Sequence, residues 1–376
     1  MSIVSIRQIQ DGILPTLQIL LKPFASEVVL EGKSVLIKPN LVEPEHYTTG
    51  QTTNPALVEA LIVWCRQQGA TSIAIGEGPN YFQPRSALRE CFIETGIDDI
   101  ARRQNVPWIL FDDGPFRVYK NHSPRTPQTF SVSEHAFTWD HIINVPVPKP
   151  HYLTRVSIGM KNLKGFIRRE DKPSFHHVGT DGIHGSVTEL NLLIRPSLTV
   201  VDCTAPVHKN KNFLLASTDI VACDAVTTSL MGINPREIRT IRLGHEAGLG
   251  EMNIAKIDIQ GDDLKNFKMN FEQPEDYLKR AFPHLKLCAQ TACSGCLIPL
   301  FSALHRIENE LTEKEEETTI VLGKNNSGRA SNRTIFVGEC TKVIAEDNTW
   351  LSGCPPTKEE MFEFLREQLH KINFNA

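Results

Sequence analysis

"TNPALVEALIVWCRQQGATSIAIGEGP", residues 53–79, changes periodicity part-way along. Over 53–70 the apolar residues recur at helical spacing, with Asn54 as N-cap, Pro55 as the first helical residue and Gly69 as the stop. From 71 to 79 the chain becomes a β-branched run closed by glycine and proline, which reads as a strand. Upstream, "GKSVLIKPN" at 32–40 is a second short β-branched run after a glycine turn. Strand, helix and strand in that order predict a parallel sheet in an α/β fold.

The alternation continues outward. Helical spacing is predicted over 85–96, 155–166, 217–232 and 234–250, and strands over 106–113, 140–149, 197–203 and 253–261. The expected architecture is a Rossmann-like α/β domain over 1–262, with a mostly parallel sheet and helices on both faces. A smaller C-terminal α/β unit is expected over 263–376, carrying a cysteine cluster. In it, 319–324 and 333–340 read as strands and 357–372 as a closing helix, with Thr357 and Glu360 as a capping box. The acidic stretch 307–319 reads as a solvated helix end, and "NNSGRASN" at 325–332 as a mobile loop.

With 376 residues, 40% hydrophobic and 22% charged, the chain has enough apolar material for two or three packed units, and wholesale disorder is excluded. A net charge of −4 gives no general attraction to nucleic acid. Arg7, Asp11, Pro15 and Lys22 interrupt any signal-like apolar core at the start, and no later run is long enough to span a bilayer. The expectation is a cytoplasmic protein with no membrane partner.

Nine cysteines, an odd number without a compact secreted framework, favour metal or redox chemistry over disulfides. Cys65, Cys91, Cys203 and Cys223 sit among apolar neighbours and read as buried small hydrophobes. In "CAQTACSGCLIP" (288–299), Cys293 and Cys296 have the C-x-x-C spacing that turns two sulfurs toward one metal centre. Cys340 ends a strand and Cys354 precedes the last helix in "GCPP", so both can lie at the carboxyl edge of one small sheet and complete a set of four. Two helix N-termini nearby would offset the charge of a thiolate cluster. Four thiolates suit zinc or an iron–sulfur cluster. The wide spacing of the second pair, and Cys288 as a spare thiol that could replace one ligand, tilt the choice toward iron and sulfur.

The stretches "VLIKPNLV", "TTNPALVEALI", "INVPVPKPHYLTRVSIGMKNLKGFI", "LASTDIVACDAVTTSLMGINPREIRTI", "GLGE" and "ACSGC" occur in this order. Over roughly residues 30–300 the chain resembles the family called domain of unknown function 362, whose members are often described as iron–sulfur proteins. Many relatives carry ferredoxin-type C-x-x-C-x-x-C-x-x-x-C-P runs; this chain has none. The resemblance therefore implies a single cluster, [4Fe-4S] in type, held by the dispersed set Cys293, Cys296, Cys340 and Cys354.

Lys38 and Asn40 follow a strand, at the edge where open parallel sheets place their ligand crevices. Lys161, Asn162 and Lys164, with Lys149 and His151, add positive charge within apolar sequence, where a lysine needs an anionic partner or a route to water. "GEGP" at 76–79 could bring backbone amides to an anion, and His176, His177 and His184 are expected in a glycine-bearing loop. Asp219 reads as a helix cap, and Asp202 and Asp224 are given no catalytic part. The combined expectation is an iron–sulfur oxidoreductase, with redox or cluster-assisted chemistry on a small anionic molecule. An electron carrier or scaffold serving a redox partner protein, and a zinc-stapled enzyme without redox chemistry, are the alternatives.

Overall fold

The strands on either side of the helix Pro55–Gln67 lie side by side and parallel, Val35 opposite Ile73 and Ile37 opposite Ile75. The structure, a computed structural model, describes residues 1–81, 86–208, 211–269, 271–308, 317–324, 333–345 and 349–370. The chain forms two compact units, Met1–Phe271 and Glu272–Ala376. The boundary falls later than 262 because Phe267 and Met269 are still buried in the first unit's core, where Phe267 meets the ring of Phe213.

Eight strands form the sheet of the first unit: β1 (Ile3–Gln8), β2 (Ser34–Lys38), β3 (Ser72–Glu77), β4 (Trp108–Leu110), β5 (His141–Asn144), β6 (Leu198–Cys203), β7 (Phe213–Ser217) and β8 (Asp258–Gly261). Their spatial order is β8-β1-β7-β6-β5-β2-β3-β4. Only β7 runs against its neighbours β1 and β6; all other pairings are parallel. Side chains alternate across the pleat, so Val35, Ile37, Ile73 and Ile75 enter one core with Leu57, Leu61 and Trp64, while Leu36 and Ala74 enter another with Val187, Val221 and Ile241. Helices thus cover both faces. From β2 the order passes to β3 on one side and to β5 on the other, which makes the carboxyl ends of β2 and β5 the topological switch point.

Residues 155–166 do not form the continuous helix expected of them. Arg155–Ser157 pairs antiparallel with Lys149–His151, Gly159–Asn162 makes one helical turn, and Leu163–Phe166 tightens into a 3₁₀ turn. Tertiary contacts override the spacing here: Asp224 accepts the N–H groups of Gly159 (2.8 Å) and Met160 (3.0 Å), pinning the start of the turn. His176 and His177 lie in the helix Lys172–His177 and His184 in the helix Gly182–Leu193, so they are not loop residues.

The second unit has a four-stranded, fully parallel sheet in chain order: β9 (Leu285–Thr291), β10 (Thr318–Gly323), β11 (Arg333–Val337) and β12 (Thr349–Leu351). The helices Ser294–Ile307 and Lys358–His370 pack together, joined by the Arg306–Glu359 ion pair at 2.9 Å. The capping box is present, with Thr357 Oγ1 and Glu360 exchanging bonds at 2.8 and 3.2 Å. The loop expected at 325–332 and most of the acidic stretch lie outside the described residues.

Candidate functional site

In the first unit the switch point is built from Lys38 and Asn144, the paired last residues of β2 and β5. Lys38 is fully buried. Its Nζ donates to Glu77 Oε2 at 2.8 Å and to the Pro39 carbonyl at 3.1 Å. Burial lowers its pKa while Glu77 works to keep it charged. Lys38 therefore stands behind the crevice as half of a buried ion pair, which differs from the free anion ligand expected of it. Glu77 is held in turn by the Gly78 N–H at 2.8 Å. The space beside Gly78 is filled, since a Cβ there would lie 1.8 Å from the Gly165 carbonyl oxygen. "GEGP" therefore packs at Gly78 on Gly165 of "NLKGF", and the Gly78 N–H is taken by Glu77.

Asn162 ties the single turn 159–162 to the sheet edge. Its Nδ2 donates to Asn144 Oδ1 at 2.8 Å and to the Pro39 carbonyl at 3.3 Å, and its buried Oδ1 has no hydrogen-bond partner among the described residues. Asn40 Oδ1 accepts from Lys149 Nζ at 2.5 Å, and Lys149 also reaches the Gln51 carbonyl at 2.6 Å. Lys164 Nζ lies 3.1 Å from His176 Nε2, whose Nδ1 faces the Lys172 carbonyl at 2.8 Å. That pattern puts the imidazole proton on Nδ1 and makes Nε2 the acceptor for Lys164. Lys161, still partly exposed, makes no hydrogen bond or ion pair among the described residues.

The electrostatics follow from this crowding. Burial, then the charge of Lys161, brings Lys149 down to about 7. Burial alone brings Lys161 to about 7; burial, opposed by Glu77 and Asp112 and helped by Lys38 and Arg169, brings Lys172, whose Nζ donates to the Pro79 carbonyl, to about 8. His151 is held well below the ordinary imidazole value, first by burial and then by Lys161 and Lys164. Its Nδ1 accepts the N–H groups of Leu153 (3.1 Å) and Thr154 (3.2 Å), so Nε2 carries the proton and is a donor. Lysines and donors outnumber carboxylates here, and a small anion would relieve the mutual repulsion.

In the second unit four thiols meet at the carboxyl edge of the small sheet. Cys293 is the N-cap of the helix Ser294–Ile307, and Cys296, buried, sits in its first turn. Cys340 lies in the turn Glu339–Thr341 after β11, and Cys354 follows β12. The two loops are fastened to each other: Gly338 N–H donates to the Leu351 carbonyl at 2.8 Å and Glu339 N–H to the Gly353 carbonyl at 3.0 Å. A Cβ on Gly338, whose φ is +91°, would sit 3.2 Å from Cys296 Sγ and 3.6 Å from Cys340 Sγ, so glycine leaves the sulfurs their space. The hydrogen bond with Cys293, then burial, then the charges of Cys293, Cys340 and Cys354 push the Cys296 thiol far up. Burial first, then Cys293 and Cys354, raises Cys340 as well. Among the described residues no three His, Cys, Asp or Glu side chains already surround the position of one metal ion. Cys288 lies in β9 opposite Val321 and packs against the small cluster of Val321, Phe336 and Ala345.

The family model described as domain of unknown function (DUF362) matches residues 35–229. The chain belongs to the DUF362 family. The DUF362 match holds Lys38, Asn40, Lys161, Asn162 and Lys164 and ends well before "ACSGC", short of the reach to about 300 read from the sequence. A curated relative, the thylakoid-associated protein sll1697 of Synechocystis sp. (strain ATCC 27184 / PCC 6803 / Kazusa), is 25% identical over 255 residues, 63% of this chain and 76% of that one. Among solved structures, the lactate racemase apoprotein from Thermoanaerobacterium thermosaccharolyticum shares 13% identity at a TM-score of 0.39, over 58% of this chain and 54% of that one. Among the described residues of this DUF362 member, no helix is long and apolar enough to cross a membrane.

Two residues of the DUF362 crevice escaped the sequence reading. Glu77 ends the strand beside that of Lys38, and placing both at one carboxyl edge would have paired them. Lys172 sits in "REDKPS", a charged run that looks like solvated surface. The three aspartates are structural: Asp202 Oδ2 accepts the Asn54 N–H at 2.6 Å, Asp219 caps the helix Ile220–Leu230, and Asp224 caps the turn that carries Lys161.

Proposed function

We propose that this chain is an iron–sulfur protein that binds a small anion, with four thiolates holding one cluster in the second unit and a lysine-rich crevice taking the anion in the first. The observation that carries the cluster is that Cys293, Cys340 and Cys354, from three separate segments, all lie near enough to act on Cys296, with Cys296 and Cys340 flanking Gly338. The donor set fits: the charges that act most on Cys296 and Cys340 are those of other cysteines, Cys293 and Cys354 for both and Cys340 for Cys296. Unpaired, four thiolates repel one another; a metal centre is what lets them ionise together.

A bound [4Fe-4S] cluster would supply electrons or a Lewis-acidic iron. The chain's own part is recognition. Lys161 and His151 Nε2 offer donors to an anion, Lys149 and Lys164 add charge beside it, and Asn40, Asn162 and His176 fix where those groups point. An oxidoreductase acting on a small carboxylate or phosphate in the cytoplasm, with a redox partner protein to exchange electrons, is the reading that uses both sites. Protein purified without oxygen is expected to be brown and to contain iron and acid-labile sulfide in equal amounts. Colourless protein with one zinc per chain and no sulfide would overturn it in favour of a zinc staple.

A further inference from the structure

We propose that Lys161 is a nucleophilic amine that condenses with the carbonyl group of a small oxo-carboxylate held in the crevice, forming a Schiff base on Nζ. The inference rests on the anion-binding reading of the same crevice and adds the class of molecule: a carboxylate carrying an aldehyde or ketone.

The geometry singles out one amine. Lys38 is bonded to Glu77 and the Pro39 carbonyl, Lys149 to Asn40 and Gln51, Lys164 to His176 and Lys172 to the Pro79 carbonyl. Each would have to give up a hydrogen bond before its lone pair could attack, and for Lys38, Lys149 and Lys172 in a buried place. Lys161 alone among these five makes no such bond among the described residues, and it keeps a path to solvent. Its position is nevertheless fixed, because the turn Gly159–Asn162 is pinned by Asp224 at one end and by Asn162 at the other.

The surroundings suit the chemistry. A lysine beside other cations in a desolvated site is the arrangement that keeps an amine neutral and nucleophilic near pH 7. Burial holds Lys161 at about 7, so a sizeable fraction is free amine at neutral pH. Lys149 and Lys164 supply charge for the carboxylate, and His151 Nε2–H is a donor for an oxygen. In the reaction a C–N bond forms and the carbonyl oxygen leaves as water with both amine protons, so no oxidant or reductant is consumed.

The test is borohydride trapping on the full-length protein at pH 7, using pyruvate as the probe. Lysate-free protein is incubated with pyruvate, reduced, and read by intact mass and peptide mapping; in parallel, binding of lactate, which has no ketone, is measured by calorimetry. The expected result is one N-(1-carboxyethyl) adduct per chain, the reduced imine, on the peptide containing Lys161. It should be absent from Lys161→Arg and Lys161→Met, both checked by circular dichroism, and retained in Lys33→Arg, an exposed lysine at the opposite, amino end of β2. Lactate binding without any trapped adduct would overturn the Schiff base and leave the anion crevice standing. No lactate binding and no adduct would remove both, and an adduct that persists undiminished in both Lys161 variants would show that the amine is another one.

Discussion

The Lys38–Glu77 pair shows how much one side chain depends on its neighbours. Both residues are buried, and each ends a strand at the switch point. Removing one charge leaves the other desolvated and unmatched, which costs about 3–5 kcal/mol, whereas replacing both with apolar residues of similar size costs far less. Glu77→Gln is therefore expected to lose about 3 kcal/mol in urea unfolding. Lys38→Met combined with Glu77→Leu should recover most of that. A loss below about 1 kcal/mol for Glu77→Gln would mean that Lys38 is neutral in the fold. Lys38 was legible from "SVLIKPN" as a strand-end lysine. Its pairing was legible only by setting the ends of β2 and β3 side by side at one carboxyl edge, where Lys38 meets Glu77.

At the level of elements, the turn Gly159–Asn162 governs the crevice. Four residues cannot sustain a helix by propensity. Asp224, whose carboxylate accepts two of the turn's N–H groups, is what holds it. Asp224→Ala should cost about 1–2 kcal/mol, as loss of a cap does, and weaken anion binding about tenfold with the secondary structure otherwise intact. Unchanged affinity would separate the turn from the site. Long periodic elements such as Pro55–Gln67 were legible, caps included. The strands β7 and β9 were not, because "FLLAS" and "LKLCAQT" carry few β-branched or aromatic residues. Residues 155–166 misread as one helix because close contacts at Gly159 and Gly165, the latter with room for no Cβ beside Glu77, dictate a broken path.

For the molecule as a whole, the buried lysines link stability to pH. Lys149 and Lys161 titrate at about 7 in the fold and near 10.5 once unfolded, so between these values the unfolded chain binds more protons and stability rises with pH. Asp224 works the other way: with a folded value of about 7 against 3.8, it contributes fully below 3.8 and its contribution is lost as pH rises through 7. The anion-free protein should therefore gain thermal stability from pH 7 to 9.5. Saturating phosphate, by favouring charged lysines, should raise Tm at pH 7 and flatten the slope. A Tm that falls over that range would contradict the burial of uncompensated amines.

At this scale the two-part division and the carboxyl-edge placement of Cys340 and Cys354 could be read from strand ends and helix starts. The packing of Cys288 against Val321, Phe336 and Ala345 could not: only the β9–β10 register shows it. The most direct measurement is the iron and sulfide content of five serine variants, each purified without oxygen. Cys293→Ser, Cys296→Ser, Cys340→Ser and Cys354→Ser should each lose most of both, while Cys288→Ser keeps them. Full iron and sulfide in Cys340→Ser and Cys354→Ser would contradict a centre shared by all four sulfurs.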